Sequence, residues 1–495
     1  MDIVSPVGIG ITYSSSLESL LLGHPELFDA LEIEPQTLWL EDRGGEARFR
    51  IDPHVMDHVA NLPGRKLVHS IGTPVGGSVR PDPAQLALLK ETIARFDAPW
   101  VSDHLSFNTT SEFNTGFFLP PRQTEAGVQT VVRAIADLQH ALPVPVAVET
   151  GVNYLRSRAD EMDDGLFIAE VVERANCGLL LDLHNVFANS LNGRQPIDRY
   201  LAQLPLDRVW EIHLAGGMEM DGYWLDAHSG AIPDPLLNLT RQLLPSLPNL
   251  RAIIFEIFPS FVDVVGLEVI REQLERLRLL WDERSVQKPA NPMLTYKSTS
   301  PIRTAQTQRS ADALPEVWER ALGSLVIGAN DGSATARELS ADPGVSVVSR
   351  LIREFRASMI VGVLRMTSRL MMLSLGPDVF RAILNDFWQI TPPQQFAASE
   401  AAAFARYLLD KNFKIPQLTK VLEFEQAVMA TVVDQQTRVV CFDHDPLPLL
   451  RALAEGRLPD VVGQSGAFEI EVTPDGPAHV SGLDAAVVRR QFPFH

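Results

Sequence analysis

"GLLLDLHNVF", residues 178–187, sets a short apolar run directly against Asp182, His184 and Asn185. An apolar run of strand length that ends in polar groups fits a strand buried on both faces of a parallel sheet, with its polar end aimed at something. Seven further runs share this character: "GIGITY" (8–13), "ALEIE" (30–34), "KLVHS" (66–70), "WVSDH" (100–104), "VPVAVET" (144–150), "RVWEIHL" (208–214) and "RAIIFEI" (251–257). Helix-like stretches such as "DPAQLALLKETIARF" and "TEAGVQTVVRAIADLQHAL" separate them. Eight strands alternating with helices predict an α/β fold, a (β/α)8 TIM barrel, rather than an open doubly wound sheet. No glycine-rich phosphate loop follows any of these strands, which counts against a nucleotide-binding fold.

The strand ends carry the chemistry. Strand two ends in Glu34, strand three in His69, strand four in Asp103 and His104, and strand five in Glu149. Strand six ends in Asp182 and His184, strand seven in Glu211 and His213, and strand eight contains Glu256. In a barrel of this type the C-terminal strand ends converge on one mouth, so residues far apart in sequence meet there. Parity places Asp182 with His184, and Glu211 with His213, on common faces. A single such residue is ordinarily a cap or an ion-pair partner. A whole ring of them, buried without a cation, would leave charges uncompensated at several kcal/mol each.

Mixed imidazole and carboxylate ligands suit Zn, Fe, Mn or Co rather than Ca or Mg. The set His69, His104, Glu149, Asp182, His213, Asp226, His228 and Glu256 exceeds one coordination sphere, so two or three metals sharing carboxylates are expected. Asp226 and His228 come from "YWLDAHSG" (223–230), the loop after strand seven. Ligand type alone does not separate redox from hydrolytic metals.

The bulk numbers narrow the class. With 43 Lys+Arg against 62 Asp+Glu, the net charge of −19 argues against nucleic-acid or anionic-membrane partners. "MDIVSPVGIG" has no signal-peptide pattern, and the most apolar segment, 349–373, is cut by six charged residues. A cytoplasmic protein is expected. Two cysteines, Cys177 and Cys441, allow neither a disulfide framework nor a thiolate cluster.

"VQKPANPMLTYKSTSPIRTAQTQRSA", 286–311, is a linker by composition, dividing a metal-binding barrel domain, 1–285, from a domain spanning 312–495. The latter reads as a smaller, mainly helical α+β domain. "VSVVSRLIREFRASMIVGVLRMTSRLMML" predicts one long helix, and "AVMATVVDQQTRVVCF" and "GAFEIEVTP" predict strands.

"LVHSIGTPVGG", "VSDHLSF", "VAVETGVNY", "LLLDLHNVFANSLN", "EIHLAGG", "LDAHSG" and "FEIFPS" resemble, in order and spacing, the multinuclear non-haem iron-dependent oxidative enzymes, the family of the methanobactin biosynthesis oxidase. The resemblance covers about residues 5–280. It implies a xylose-isomerase-like barrel holding two or three irons, with O2 as co-substrate, acting on ribosomally made precursor peptides, often at cysteine. Position by position, it implies that Glu149, Asp182, His213 and Glu256 form one metal site, with Glu149, Asp182 and His213 as the catalytic residues. His69 and His104 then bind a second iron bridged by Glu149, and Asp226 and His228 a third. Where the family often has Asp, any residue, Asn, Asn, this chain has Asp182, Leu183, His184, Asn185, which leaves His184 as a ligand or a hydrogen-bond partner. Asn153 and Asn185 are additional candidates.

The C-terminal part is similar to the partner proteins that accompany these oxidases and help recruit the precursor peptide. There an acidic and aromatic helix carries a pattern like Glu423, Phe424, Glu425. Two other readings stand beside the oxidase: a Zn- or Mn-dependent hydrolase or isomerase acting on a sugar or phosphodiester, and a metal-binding scaffold without catalysis.

Overall fold

The computed structural model describes residues 5–41, 48–286, 314–329, 331–459, 464–474 and 476–480. Its centre is a closed parallel barrel. The strands are β1 (Gly8–Thr12), β2 (Ala30–Ile33), β3 (Arg65–Ser70), β4 (Val101–His104), β5 (Val146–Glu149), β6 (Gly178–Asp182), β7 (Val209–Ala215) and β8 (Ala252–Glu256). Each pairs in parallel with the next in sequence, and β8 pairs with β1 to close the ring. All eight expected strands are present, and the expected barrel is observed.

Local chemistry explains the helix starts between strands. Helix α1 (Pro83–Phe96) begins with Asp82 accepting from Ala84 N–H, and α2 (Glu125–Ala141) with Thr124 accepting from Gly127 N–H. Both caps satisfy amides that have no partner inside the helix. Ala30, Leu67, Ala147 and Ile254 lie two residues before Glu32, His69, Glu149 and Glu256. With Trp100 they form a buried cluster. By strand parity this apolar layer fills the barrel directly beneath the polar mouth.

Three sequence expectations are corrected. Strand six ends at Asp182, and α3 (Leu183–Leu191) starts at once, with Asp182 as its cap accepting from Asn185 N–H. His184 is therefore helical, and the parity argument pairing it with Asp182 does not apply. Strand two ends at Ile33, so Glu34 lies just beyond it, still among the charges of His69, Glu256 and His104, and Glu32 on the same face is the acid inside the strand. The stretch 427–434, expected as a strand, is the end of a helix, Leu418–Asp434, whose alternate turns pack into the core. Burial of that face outweighs the strand preference of its β-branched residues.

By packing, the described residues fall into two compact units. The first is drawn from Met1–Trp39, Ile51–Glu112 and Phe118–Ser349, the second from Leu40–Arg50, Phe113–Phe117 and Arg350–His495. The linker expected at 286–311 lies, beyond Val286, outside the described residues. Residues after it join the first unit through specific bonds. Trp318 Nε1 donates to Pro120 O at 3.0 Å, Glu319 accepts from Ser78 N–H at 2.9 Å, and Asp342 accepts from Arg156 N–H at 2.9 Å.

The second unit has its own apolar core, with Phe387, Phe404 and Phe424 fully buried, and a three-stranded antiparallel sheet of β9 (Arg438–His444), β10 (Ser465–Thr473) and β11 (Gly476–Val480). The single long helix expected over 345–373 is two helices, α4 (Pro343–Val363) and α5 (Arg365–Leu375), bent by 108° at Leu364. The corner has an identifiable cause. Glu425, on α6 (Leu418–Asp434), accepts the Met366 and Thr367 amides at 2.6 and 2.9 Å, capping α5 from outside. Among the described residues no single helix is long and apolar enough to cross a membrane.

Candidate metal centre

The barrel brings all eight expected ligands to one mouth. Their ligand-type atoms form three groups, each with members within 4.8 Å of one another: His69, His104 and Glu149; Glu149, Asp182, His213 and Glu256; and His184, Asp226 and His228. Register explains the first two. His104 pairs with Glu149 across β4 and β5, and Asp182 with His213 across β6 and β7. Glu149 belongs to two groups. Its Oε2 lies 3.1 Å from His104 Nε2 and 3.4 Å from His69 Nε2, and its Oε1 lies 3.5 Å from His213 Nδ1. The third group adjoins the second where His228 Nε2 lies 3.5 Å from Glu256 Oε2. His228 takes a left-handed backbone (φ 43°), a conformation histidine adopts more readily than most residues.

Each histidine is oriented from behind. His69 Nδ1 meets the Ser102 hydroxyl at 2.9 Å, and His104 Nδ1 meets Ser70 O at 3.3 Å. A carbonyl can only accept, so His104 Nδ1 carries the ring proton and Nε2 is left bare towards Glu149. His213 Nε2 meets Glu32 at 3.1 to 3.2 Å, leaving Nδ1 towards Glu149 and Glu256. Aromatic rings cover the two outer histidines: Phe118 stacks on His104 at 3.9 Å, and Phe258 lies 4.4 Å from His228.

The atoms aimed into the mouth fit a bound cation. Glu149 Oε2, His213 Nδ1, His228 Nε2 and Glu256 Oε2 are buried, and none has a hydrogen-bond partner. Each faces other ligand-type atoms: Glu149 Oε2 lies 3.1 Å from His104 Nε2, His213 Nδ1 3.1 Å from Glu256 Oε1, and His228 Nε2 2.8 Å from Asp226 Oδ1 and 3.5 Å from Glu256 Oε2. The electrostatics agree. Burial works against a charged His69, yet Glu149 raises its pKa to about 10; burial likewise opposes His228, which Asp226 and Glu256 raise to about 10. Burial resists ionisation of Glu149 too, but His104 and His69 hold its pKa well below the usual range. Asp182 goes the other way: burial first, then the charges of Asp226, Glu256 and Glu149, push it well up. The mouth thus demands positive charge, which metal ions supply without occupying the nitrogens with protons.

Both ring nitrogens of His184 have a partner. The Trp224 indole N–H, which can only donate, meets His184 Nε2 at 3.2 Å, so Nδ1 carries the ring proton and donates to Asp226 Oδ1 at 3.1 Å. In this arrangement His184 orients Asp226. Gly217 makes room for it, since a Cβ there would lie 2.3 Å from the indole nitrogen and 2.6 Å from His184 Nε2. Asn185 Nδ2 donates to Asp182 Oδ2 at 2.9 Å and to Thr150 O at 3.3 Å, fixing the carboxylate. Asn153 instead closes a turn, accepting from Leu155 N–H at 3.0 Å.

Sequence reading missed Glu32, Trp100 and Trp224. Trp100 Nε1 donates to Glu211 at 3.0 Å beneath the mouth, where burial, followed by the charge of Glu32, pushes the Glu211 carboxyl up to about 8. The signal for Glu32 was an acid at an interior position of an apolar strand. Beside the third group lies a cavity of about 690 Å3, lined among others by Tyr154, Arg156, Asp163, Asn192, Arg199 and Tyr223. Tyr154 connects the two, its hydroxyl accepting from Asp226 N–H at 3.0 Å.

A family model described as the RiPP precursor modification enzyme MbnB/TglH/ChrH matches residues 8–264. Among curated relatives, UPF0276 proteins of Streptomyces avermitilis and Chromobacterium violaceum are 30% and 32% identical over 229 and 220 residues, 44% of this chain in each case. The matched regions span 46% of the first relative's length and 80% of the second's. A UPF0276 protein of Caulobacter vibrioides is 35% identical over 215 residues, 43% of this chain and 75% of its own. Solved structures with a similar barrel include a xylose isomerase domain protein from Planctomyces limnophilus (TM-score 0.38, 13% identity, covering 57% of this chain and 99% of that one). Endonuclease IV from Thermus thermophilus is another (TM-score 0.35, 17% identity, covering 56% and 99%).

Proposed function

The chain belongs to the MbnB/TglH/ChrH family of RiPP precursor modification enzymes, and from that premise we propose that its barrel is a two- or three-iron, O2-using oxidase modifying a ribosomally made peptide, at cysteine. The observation that carries this reading is the contiguity of the ligand groups. Three sets of ligand atoms meet at one mouth, joined through Glu149 and through the His228–Glu256 approach. His69, His104 and Glu149 would hold one ion, Glu149, Asp182, His213 and Glu256 the second, and Asp226 with His228 the third. Iron bound there supplies the electron transfer and O2 chemistry that side chains do not provide.

The chain's own part is positioning and shielding. Asp182, His213 and His69 are buried, while the His104 and His228 side chains keep 19% and 12% of their surface, so substrate approaches over these two. Phe118 and Phe258 flank that approach and keep water from the outer ligands. The cavity behind Tyr154 is of a size to hold residues of the peptide next to the one modified. Arg156 on its rim is exposed and would meet an acidic group of the substrate. Arg156→Ala should raise KM about two- to fivefold with kcat little changed, the effect of losing one solvent-exposed ion pair. Steady-state kinetics with the cognate peptide checks this.

We assign recruitment of the precursor peptide to the second unit. That assignment rests on the resemblance to partner proteins read from its sequence, and its independent core is compatible with it. Phe424 and Glu425 are interior, so of the acidic and aromatic pattern only Glu423 is left to meet a partner.

The test is to purify the protein without added metal, quantify its metals, and record Mössbauer and EPR spectra before and after O2. Two or three irons per chain with an O2-dependent spectral change are expected. Stoichiometric zinc with hydrolytic activity would overturn the reading.

A further inference from the structure

We propose that Glu32 is a positioning residue of the metal centre, accepting the Nε2 proton of His213 so that an unprotonated Nδ1 faces the metal. This rests on the mouth being a metal centre. The geometry is specific. Glu32 and His213 are both fully buried, and the two Glu32 oxygens lie 3.1 and 3.2 Å from His213 Nε2. On the other side of the ring, Nδ1 lies 3.1 Å from Glu256 Oε1 and 3.5 Å from Glu149 Oε1, yet makes no hydrogen bond. A neutral imidazole has one donor and one acceptor nitrogen, so the bond at Nε2 decides what Nδ1 can do.

His69 and His104 are held from behind by a hydroxyl and a carbonyl, with Asp103 Oδ1 standing off at 3.8 Å from His104 Nδ1; of these three histidines, only His213 has a carboxylate within hydrogen-bond distance behind it. A carboxylate behind a ligand histidine fixes its tautomer and makes its free nitrogen more basic. Glu32, Glu211 and His213 are close enough together to hold a cation themselves. Two of the contacts there are already made, however: His213 Nε2 meets Glu32, and Trp100 Nε1 donates to Glu211. The trio is a hydrogen-bonded floor on which His213 stands.

Glu32→Gln tests this. The amide lacks the charge and can turn its NH2 towards Nε2, moving the ring proton to Nδ1, where it blocks the metal. Co2+ titrated into the metal-free full-length chain, read by its d–d absorption, is the probe. Glu32→Gln should weaken Co2+ binding about tenfold or more and shift the d–d bands. Glu32→Asp, which keeps the charge, should recover most of the affinity. Melting of the metal-free chain should stay within a few degrees of the parent.

Parent-like affinity and spectrum in Glu32→Gln would overturn the proposal. So would equal weakening in Gln and Asp variants with unshifted bands and a lowered metal-free melting temperature, which is what simple core damage gives. If the unsubstituted chain takes up no Co2+, the metal-centre reading itself fails, an outcome distinct from these.

Discussion

Replacing Glu149 by glutamine should remove at least half of the bound metal and lower peptide modification by about 100-fold or more, beyond the 10- to 100-fold cost of losing an outer hydrogen-bond partner. No other side chain in the mouth reaches as many ligand histidines: Glu149 approaches His69, His104 and His213 at 3.1 to 3.5 Å and belongs to two of the three ligand groups. Glutamine keeps the shape but removes one negative charge and points an NH2 group into a space lined by bare nitrogens. The Asp226–His228 pair is untouched, so any metal retained should be the fraction held there. Metal quantification alongside activity checks this, and full retention of iron would remove Glu149 from the centre.

The second large effect lies far from the chemistry. Glu425→Ala should destabilise the C-terminal unit by about 2–4 kcal/mol, because two buried amides lose their acceptor at about 1–3 kcal/mol each. Those amides, of Met366 and Thr367, open α5 where the chain turns by 108°. Glu425→Gln keeps one carbonyl acceptor and should cost about half as much. In a unit of this size the alanine change corresponds to a fall of roughly 5–15 °C in melting temperature. Hydrogen exchange at Met366 and Thr367 should accelerate first. A melting temperature within 1–2 °C of the parent would show that the corner is held by other means.

Much of the site was legible because strand ends are visible as sequence. The apolar runs before His69, His104, Glu149, Asp182, His213 and Glu256 mark where each strand stops, and barrel topology then gathers them. What sequence could not show was which residue ends a strand and which starts the following helix. Asp182 does both, and its capping bond to Asn185 N–H rotates His184 out of strand parity and onto Trp224 and Asp226. Glu32 was missed because attention to strand ends favoured Glu34, two positions on, although both share a face. The α4–α5 corner was unreadable for a different reason. It depends on a carboxylate about 60 residues away, and no local pattern around Leu364 announces it.

The last strand of the barrel ties a bound metal to the completeness of the fold. Glu256 sits at the end of β8, which bonds to β7 on one side and to β1 on the other. The eight expected ligands lie on β3 to β8 and on the loop after β7, so the set is complete once β8 has joined β7. Metal uptake would then report the docking of β8, since a barrel without it lacks Glu256. By mass action, each ion present at 100 times its dissociation constant favours the barrel with β8 docked by about 2.7 kcal/mol, so a chain made in metal-poor conditions should stay open to proteolysis for longer.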